Sequence, residues 1–162
     1  LEDMLNYPRL CKARGIDYIF DPGQSIPMLE PEDLAQVIDG CRILVSNDYE
    51  LDLILNKTGL KKEALLGRAR TIIVTMGELG SRISTLNGEI EIPAAKAKIV
   101  RDPTGAGDSY RGGMISGLVH GKDVEESARI GSVCASFSVE CYGTQEYTFS
   151  PEEFNERLAL NR

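Results

Sequence analysis

The chain has 162 residues, 42% of them hydrophobic and 27% charged, which is typical of one globular domain that can bury a core. The formal net charge is −7 and no run of Lys or Arg breaks the acidic balance, so binding to nucleic acid or to an anionic membrane has no electrostatic support. No apolar stretch reaches the ~20 residues of a membrane span. A phosphate ligand would have to be held locally, by backbone N–H groups, a helix terminus or a metal ion.

The elements predicted from the sequence alternate between helices and strands. In chain order the patterns predict a helix over Leu1–Ala13, a strand over Ile16–Phe20, a helix over Pro31–Gly40, a strand over Arg42–Val45, and helices over Tyr49–Leu55 and Ala64–Ala69. Strands follow over Thr71–Thr75, Ser81–Thr85, Glu89–Ile92 and Ala97–Val100, then helices over Asp108–His120, Val124–Cys141 and Pro151–Leu160. The dipeptide Asn87-Gly88 favours a type I′ hairpin turn.

Such alternation predicts an α/β protein with a largely parallel sheet covered by helices. Ligands of these sheets bind outside the carboxyl ends of the strands. The loops at those ends are therefore expected to meet in one crevice: 21–23, 46–50, 76–80 and 102–108.

The cysteines and the histidine do not form a recognisable site. Cys11, Cys41, Cys134 and Cys141 include no C-x-x-C pair, and His120 is the only histidine. A histidine-rich zinc site or a Ser-His-Asp triad thus has too few residues to draw on. We interpret the cysteines as scattered thiols of a cytoplasmic protein.

The most specific local pattern is a glycine loop, Asp102-Pro-Thr-Gly-Ala-Gly-Asp108, between a predicted strand and a predicted helix. Glycine lets the backbone approach a ligand closely, and the first N–H groups of a helix lack partners within it. The helix dipole also favours an anion there, so phosphate is the expected ligand. Asp108 stands at the helix start, where a carboxylate could deprotonate an attacking hydroxyl.

Two other phosphate motifs do not fit this loop. A P-loop requires Lys after the glycines, and the dinucleotide fingerprint G-x-G-x-x-G fails because position 110 is Tyr. Judged from the loop alone, Asp108 is as well explained by a plain helix N-cap as by catalysis.

The loop resembles the second signature of the phosphofructokinase B family, which includes ribokinase and adenosine kinase. The family pattern D-T-G-A-G-D is matched, with Pro103 inserted, by Asp102, Thr104, Gly105, Ala106, Gly107 and Asp108. The resemblance implies the C-terminal portion of a ribokinase-like, three-layer α/β/α fold with a largely parallel central sheet. It also implies that Asp108 is the catalytic base and that the N–H groups of residues 105–108 form an anion hole for the transferred phosphoryl group.

Asn47-Asp-Tyr-Glu50 resembles the family's N-x-x-E motif, whose Asn and Glu order waters around Mg²⁺ beside the ATP triphosphate. Mg²⁺ usually keeps several waters and takes few protein ligands. In the alternative local interpretation, Asn47 caps a helix and Glu50 is a favourable acid in its first turn. Asp102 and the Thr104 carbonyl match positions that hold a monovalent cation such as K⁺ in ribokinase, but the chain departs from ribokinase beyond Gly143.

Two further segments resemble the family's nucleotide site. Thr75-Met-Gly-Glu-Leu-Gly-Ser81 resembles the T-x-G-x-x-G loop, which implies that Thr75, Gly77 and Gly80 contact ATP; a glycine-rich hairpin entry is the alternative. The segment Ala135–Gln145 resembles the helix and turn that wall the adenine, with Ser132 and Gly143 as the matching pocket positions.

The resemblance covers essentially the whole chain but only the C-terminal half of the family, and Leu1 already lies inside a predicted helix. We therefore expect residues 1–162 to be the nucleotide-binding and catalytic portion of a longer kinase, without the N-terminal substrate and lid portion and inactive alone. A homodimer is one assembly that the resemblance allows for the full-length protein.

The segments Asp108–Gly113 and Phe20–Gln24 look closest to bacterial adenosine kinases and their carbohydrate kinase relatives. The expected partners are therefore ATP and a nucleoside, with adenosine preferred over a free sugar. The alternatives are a non-catalytic nucleotide-binding module and a structural fragment of a sugar kinase.

Overall fold

A computed structural model describes residues 1–161, and these divide into two compact units. The first unit comprises Leu1–Met76 and Arg82–Ile90, and the second comprises Gly77–Ser81 with the chain from Glu91 onward. No helix within residues 1–161 is both long and apolar enough to cross a membrane.

The first unit is built on parallel strands and the helices that connect them. Its helices are α1 (Glu2–Ala13), α2 (Pro31–Ile38), α3 (Asp48–Thr58) and α4 (Lys62–Leu66), and a 3-10 helix covers Gly23–Met28. Its strands are β1 (Ile19–Phe20), β2 (Ile43–Asn47) and β3 (Thr71–Thr75), followed by β4 (Ser81–Thr85) and β5 (Gly88–Ile92) in a sheet of order β1-β2-β3-β4-β5.

The pairs β1–β2 and β2–β3 are parallel, with Phe20 opposite Leu44 and Asn47 opposite Thr75. The first four residues of both β2 and β3 are buried, as expected for strands covered on both faces. This register places the carboxyl ends of β2 and β3 side by side. The predicted largely parallel arrangement is confirmed here.

The hairpin predicted at Asn87-Gly88 forms, but its turn type differs from the prediction. Strands β4 and β5 are joined by Leu86 and Asn87. A type I′ turn at Asn87-Gly88 needs positive φ at both residues, and among residues 1–161 only glycines have positive φ. The Thr85 hydroxyl stabilises the turn instead, because it accepts from the Asn87 N–H at 3.2 Å and donates to the Gly88 carbonyl at 3.2 Å.

The core of the first unit packs one face of the sheet against its helices. It is formed by fully buried aliphatic residues on α2, β2, α3, α4 and β3: Leu34, Ile38, Leu44, Ile54, Leu65 and Ile72. Burying such side chains contributes about 1.5–3 kcal/mol each relative to leaving them exposed.

The second unit is dominated by two closely packed helices, α5 (Ala106–Val119) and α6 (Val124–Ser138). Glycines make this approach possible. A Cβ on Gly131 would lie 2.5 Å from the Tyr110 carbonyl oxygen, and one on Gly117 would lie 2.9 Å from the Ser127 Cα. No larger residue fits either position without moving a helix backbone.

Helix α7 (Pro151–Leu160) completes the second unit and is held by one buried arginine. The Arg157 guanidinium lies 3.6 Å from the centroid of the Phe137 ring, and Nη1 is 2.9 Å from both the Ser136 hydroxyl and a Glu140 carboxylate oxygen. These contacts tie α7 to the C-terminal end of α6, immediately before the turn that contains Gly143.

One predicted strand is wrong, because 97–100 forms none. This segment and the residue after it bond instead to the residues that follow α6. The Lys98 N–H donates to a Glu140 carboxylate oxygen at 2.6 Å, and the Arg101 N–H donates to the Val139 carbonyl at 2.8 Å. The strand at 16–20 is also shorter than predicted. The Ile16 N–H donates to the Cys11 carbonyl at the end of α1 and so takes no part in the sheet. The observed strand is limited to Ile19–Phe20.

Candidate functional site

Asn47 ends β2 and caps α3, so that Asn47 and Glu50 form a reciprocal pair. The Asn47 side-chain oxygen accepts from the Glu50 N–H at 2.7 Å, and Glu50 Oε2 accepts from the Asn47 N–H at 2.8 Å. This capping box satisfies two N–H groups at the helix start and holds the Glu50 carboxylate at the carboxyl edge of the sheet. Among the described residues, Glu50 Oε1 has no hydrogen-bond partner.

Thr75 ends β3 directly beside Asn47. The two residues are register partners, and the Thr75 hydroxyl points back to the Ser46 carbonyl at 3.5 Å. The first unit therefore brings together Asn47, Glu50 and Thr75, three of the residues assigned to the site from sequence.

Gly77 and Gly80, which lie in the second unit, have different structural roles. Both have positive φ, 57° and 92°. A Cβ at Gly77 would meet nothing within 4 Å, whereas a Cβ at Gly80 would lie 2.0 Å from the Ile92 carbonyl oxygen. Packing against the 92–94 backbone therefore explains Gly80 without a ligand, while Gly77 leaves backbone open to one.

The glycine loop opens α5 through Gly105, which takes the left-handed conformation at the helix N-cap with φ 82°. The Ala106 N–H donates to the Pro103 carbonyl at 3.2 Å, so it is already used within the loop. In the part of the chain that the structure describes, the N–H groups of Gly105, Gly107 and Asp108 have no acceptor. Three N–H donors without acceptors at the positive end of a 14-residue helix are the arrangement that favours an anion, as the sequence predicts for this loop.

Asp102 connects this loop to the turn after α6. Its Oδ1 accepts from the Thr104 N–H at 2.9 Å, and its Oδ2 accepts from the Gly143 N–H at 3.2 Å. Hydrogen bonds from the Thr104 hydroxyl and N–H and from the Gly143 N–H hold the pKa of Asp102 below its usual value. Asp102 thus keeps its charge while it fixes two segments.

The contact between the two loops is close. A Cβ on Gly105 would lie 3.0 Å from Thr144 Cβ, so the glycine loop packs directly on the residue that follows Gly143. Gly143 has φ 86°, a backbone conformation that favours glycine. The second unit therefore brings Asp102, Thr104 and Gly105 together with Gly143, four of the residues assigned to the site from sequence.

The Asp108 carboxylate lies in the first turn of α5, and its side chain is 76% exposed. One oxygen accepts from Arg111 Nη2 at 2.6 Å, in an ion pair across one helical turn. Asp108 is not the N-cap, because Gly105 occupies that position. Its carboxylate accepts no backbone N–H among the described residues, so the plain capping role does not explain it.

Tyr110, two residues further along, anchors the first turns of α5. Its hydroxyl lies 2.8 Å from the Ser81 hydroxyl, and both side chains are buried. Burial raises the pKa of Tyr110 to about 12, although the hydrogen bond with Ser81 opposes this shift. The loop that contains Gly77 and Gly80 is in this way linked to the helix that carries Asp108.

Ser132 faces the interior rather than an open pocket. It is 7% exposed, its hydroxyl accepts from the Ala95 N–H at 2.7 Å, and it donates to the Pro93 carbonyl at 3.3 Å. These two hydrogen bonds explain why a serine is buried on α6 without any ligand. The assignment of Ser132 to the nucleotide pocket, made from the sequence, therefore stays a prediction.

Sequence reasoning gave no individual role to three residues that organise the site: Arg111, Tyr110 and Thr144. The spacing between Asp108 and Arg111 is a helical i, i+3 spacing, which could have indicated their ion pair. The other two could not be found in this way, because their partners Ser81 and Gly105 are 29 and 39 positions away along the chain.

Comparison with known proteins shows the family of this chain. The family model described as pfkB family carbohydrate kinase matches residues 6–151. The nucleoside kinase of Methanocaldococcus jannaschii is 41% identical over 152 residues, which cover 93% of this chain and 50% of that protein. The deoxyribokinase of Salmonella typhi is 32% identical over 169 aligned positions, which cover 99% of this chain and 54% of that protein.

A solved structure is similar over nearly the same range. Burkholderia thailandensis nucleoside kinase in complex with ADP-inosine superposes with a TM-score of 0.94 and 32% identity, covering 99% of this chain and 50% of that one. The chain therefore spans about half the length of the relatives it matches.

Proposed function

The chain belongs to the pfkB family of carbohydrate kinases and has its ribokinase-like α/β fold, and from this premise we propose that it carries the ATP-binding and catalytic portion of a nucleoside kinase. The proposed reaction transfers the γ-phosphoryl group of ATP to a primary hydroxyl of the nucleoside. The substrate-binding and lid portion would be supplied by sequence outside residues 1–162.

One observation carries this proposal: an exposed carboxylate stands beside a set of unpartnered N–H donors. Asp108 projects from the first turn of α5, where the N–H groups of Gly105, Gly107 and Asp108 itself lack acceptors among the described residues. Donors of this kind favour a phosphoryl group, whereas a carboxylate repels it. A carboxylate at this position is therefore unfavourable for binding alone but useful for deprotonating an attacking nucleophile. The proposed nucleophile is the acceptor hydroxyl.

In the proposed step, the acceptor oxygen forms a bond to the γ-phosphorus while the bond from that phosphorus to the bridging oxygen of ADP breaks. Asp108 receives the hydroxyl proton, and ADP leaves with the bond electrons. The N–H groups of Gly105 and Gly107 stabilise the negative charge on the phosphoryl oxygens. Because Ala106 already donates to Pro103, the proposed anion hole uses fewer donors than the sequence predicts.

Mg²⁺ fits this site as an ion held through water. When bound, it would neutralise charge on the ATP phosphates. Glu50 keeps one carboxylate oxygen outside its capping box with Asn47, and Asn47 is the register partner of Thr75 at the sheet edge. No group of three or more His, Cys, Asp or Glu side chains among the described residues could hold a metal directly. Asn47 and Glu50 are therefore proposed as outer-shell partners.

The remaining residue assignments concern the contacts to ATP and the site of a monovalent cation. We assign the ATP phosphates and ribose to Thr75 and Gly77, and the adenine to the turn at Gly143. A K⁺ site at Asp102 and Thr104 stays a prediction, and both Asp102 oxygens are already used by backbone N–H groups. Homodimerisation and a cytoplasmic location also stay predictions from the sequence.

The relatives' substrates support a nucleoside acceptor. The most similar protein compared above is a nucleoside kinase at 41% identity, against 32% for the deoxyribokinase. We propose adenosine as the preferred acceptor, on the sequence resemblance of Asp108–Gly113 to bacterial adenosine kinases. A sugar acceptor is the second candidate, and the deoxyribokinase is the observation that favours it.

The proposal is tested by Mg·ATP-dependent phosphorylation with the complete reading frame that encodes this chain. Adenosine, inosine, ribose, deoxyribose and fructose 6-phosphate should be compared, and residues 1–162 alone should phosphorylate none of them. Asp108→Asn should lower kcat by at least ~10² while nucleotide affinity changes only a few-fold.

Asp123→Asn is the matched control, because Asp123 caps α6 and also places a carboxylate at a helix start. Asn caps a helix as well as Asp does, so this variant should keep wild-type kcat. Near-normal turnover in Asp108→Asn would reject the base assignment. Transfer to none of the five acceptors by the complete protein would reject the kinase proposal.

A further inference from the structure

We propose that Arg111 is a positioning residue for phosphoryl transfer, which orients the Asp108 carboxylate and offsets its charge beside the glycine loop. This inference rests on the proposed function, since it assumes that Asp108 is the base. It concerns a residue outside the D-T-G-A-G-D pattern on which the sequence assignment was built.

The first observation is the ion pair. Arg111 Nη2 donates to Asp108 Oδ1 at 2.6 Å, the short distance of a charge-assisted hydrogen bond. The Arg111 side chain is 34% exposed and the Asp108 side chain is 76% exposed. Exposed pairs of this kind contribute little to stability, so a purely structural role is a weak explanation for the contact.

The second observation places the guanidinium over the loop itself. A Cβ built on Gly107 would lie 3.3 Å from Arg111 Nη1 and 3.7 Å from Cζ. The guanidinium therefore occupies the space that a side chain at position 107 would fill. One cation thus pairs with the proposed base and lies beside a residue of the proposed anion hole.

The third observation is electrostatic. The chain carries a net charge of −7, and the proposed mechanism brings a triphosphate next to the carboxylate of Asp108. Without a compensating cation, the carboxylate and the phosphates would repel each other. Arg111 supplies that cation within hydrogen-bond distance of the carboxylate, and its positive charge offsets the repulsion between Asp108 and the phosphoryl group.

The pair also matches the direction of proton transfer. Before the reaction, the guanidinium fixes Oδ1 and leaves Oδ2 to accept from the acceptor hydroxyl. After the reaction, the proton resides on Asp108 and the carboxylate charge is gone, while the transferred phosphoryl group is bonded to the acceptor oxygen. The positive charge of Arg111 is then no longer compensated by Asp108 and favours the anionic product.

The experiment compares three variants in the complete protein, using Mg·ATP and the best acceptor found for the wild type. Arg111→Met keeps the length of the side chain but removes its charge, and it should lower kcat at least ~10-fold, with a smaller change in the KM for ATP. Arg111→Lys keeps the positive charge that Arg111→Met removes but lacks the planar guanidinium, so it should retain more of the wild-type kcat than Arg111→Met does. Lys122→Met is the matched control, because it removes another partly exposed ion pair, that between Lys122 just before α6 and Glu126 in its first turn, and it should leave kcat unchanged.

A double-mutant cycle separates positioning from general damage. If Arg111 acts through Asp108, Arg111→Met should have much less effect on kcat in an Asp108→Asn background than in the wild type. Equal losses in both backgrounds, or a kcat for Arg111→Met within twofold of an active wild type, would overturn the inference while leaving the kinase proposal intact. A wild type that phosphorylates no acceptor would reject the proposed function, and this inference with it.

Discussion

The hydroxyl oxygens of Ser81 and Tyr110 lie 2.8 Å apart, and this hydrogen bond holds the first turns of α5 to Ser81 within the second unit. Ser81 is 1% exposed and Tyr110 is 5% exposed. Since Tyr110 is only two residues beyond Asp108, the bond fixes the backbone that carries the proposed base. Two buried hydroxyls that satisfy each other should be energetically coupled.

We expect Tyr110→Phe to destabilise the complete protein by about 1–3 kcal/mol, because the Ser81 hydroxyl loses its buried partner. Ser81→Ala should cost a similar amount, and the double variant should cost less than the sum of the two. Denaturant unfolding of all four proteins gives the coupling energy. Tyr142→Phe, at an exposed tyrosine, is the control and should change stability by less than ~0.5 kcal/mol. Simple additivity would show that the two hydroxyls do not depend on each other.

Tyr110 should also make the folded state less stable at alkaline pH. Burial raises its pKa from 10.0 to about 12, so between these values the unfolded chain loses this proton while the folded chain keeps it. Unfolding then releases a proton, and stability falls as pH rises, by up to ~1.4 kcal/mol per pH unit for one group. Below pH 10 the group contributes no pH dependence.

Unfolding free energies of wild type and Tyr110→Phe from pH 9 to 11.5 measure this contribution. The difference between the two proteins should shrink as pH rises above ~10, because the variant lacks the phenol. A difference that stays constant over the whole range would contradict the raised pKa. Buried Cys41, whose pKa is raised by burial to about 12, adds a slope common to both proteins and cancels in the comparison.

The contact between α5 and α6 predicts opposite effects for two glycine substitutions. In Gly131→Ala the new methyl group would meet the Tyr110 carbonyl oxygen at 2.5 Å, which should force the helices apart and cost about 1–3 kcal/mol. In Gly112→Ala the methyl group meets nothing within 4 Å, so the higher helix propensity of Ala should stabilise by up to ~1 kcal/mol. Thermal and denaturant unfolding should show a lower unfolding free energy for Gly131→Ala and a higher one for Gly112→Ala. Destabilisation by Gly112→Ala would contradict the open space at that position.

Glu50 and Glu153 offer a matched pair for testing the Mg²⁺ role. Each closes a capping box, with Asn47 and with Ser150, but only Glu50 lies at the proposed metal site. Gln can replace Glu in this motif, so both Glu→Gln variants should lose no more than ~1 kcal/mol of stability. Glu50→Gln should raise the Mg²⁺ concentration for half-maximal rate by up to ~10-fold, while the KM of the acceptor changes little.

A Mg²⁺ titration of activity beside a thermal melt distinguishes the two roles. Glu153→Gln should titrate like the wild type. If Glu50→Gln also titrates like the wild type, Glu50 serves only the helix N-terminus and its metal role is rejected.

The elements most accurately predicted from sequence were those whose signals are local. Helix α7 has its predicted bounds because Ser150, Pro151 and Glu153 define its start, and β3 has its predicted bounds because an apolar run is bracketed by polar residues. The strand expected at 97–100 failed for the opposite reason. A strand requires a partner, and the residues that follow α6 supply hydrogen bonds to this segment instead.

The features of the site also divide into those that follow from local sequence and those that depend on distant contacts. The sequence by itself determined that Asp108 follows a glycine loop at a helix start, that Asn47 and Glu50 lie within one helical turn, and that the family is pfkB, because these facts depend on residues adjacent along the chain. Only the tertiary structure decided that Asp102 binds the Gly143 N–H, that Ser81 meets Tyr110, and that Ser132 is used by the 93–95 backbone. Those contacts join residues about 30–40 positions apart, so no local pattern along the chain indicates them, and they form only when the elements pack against one another.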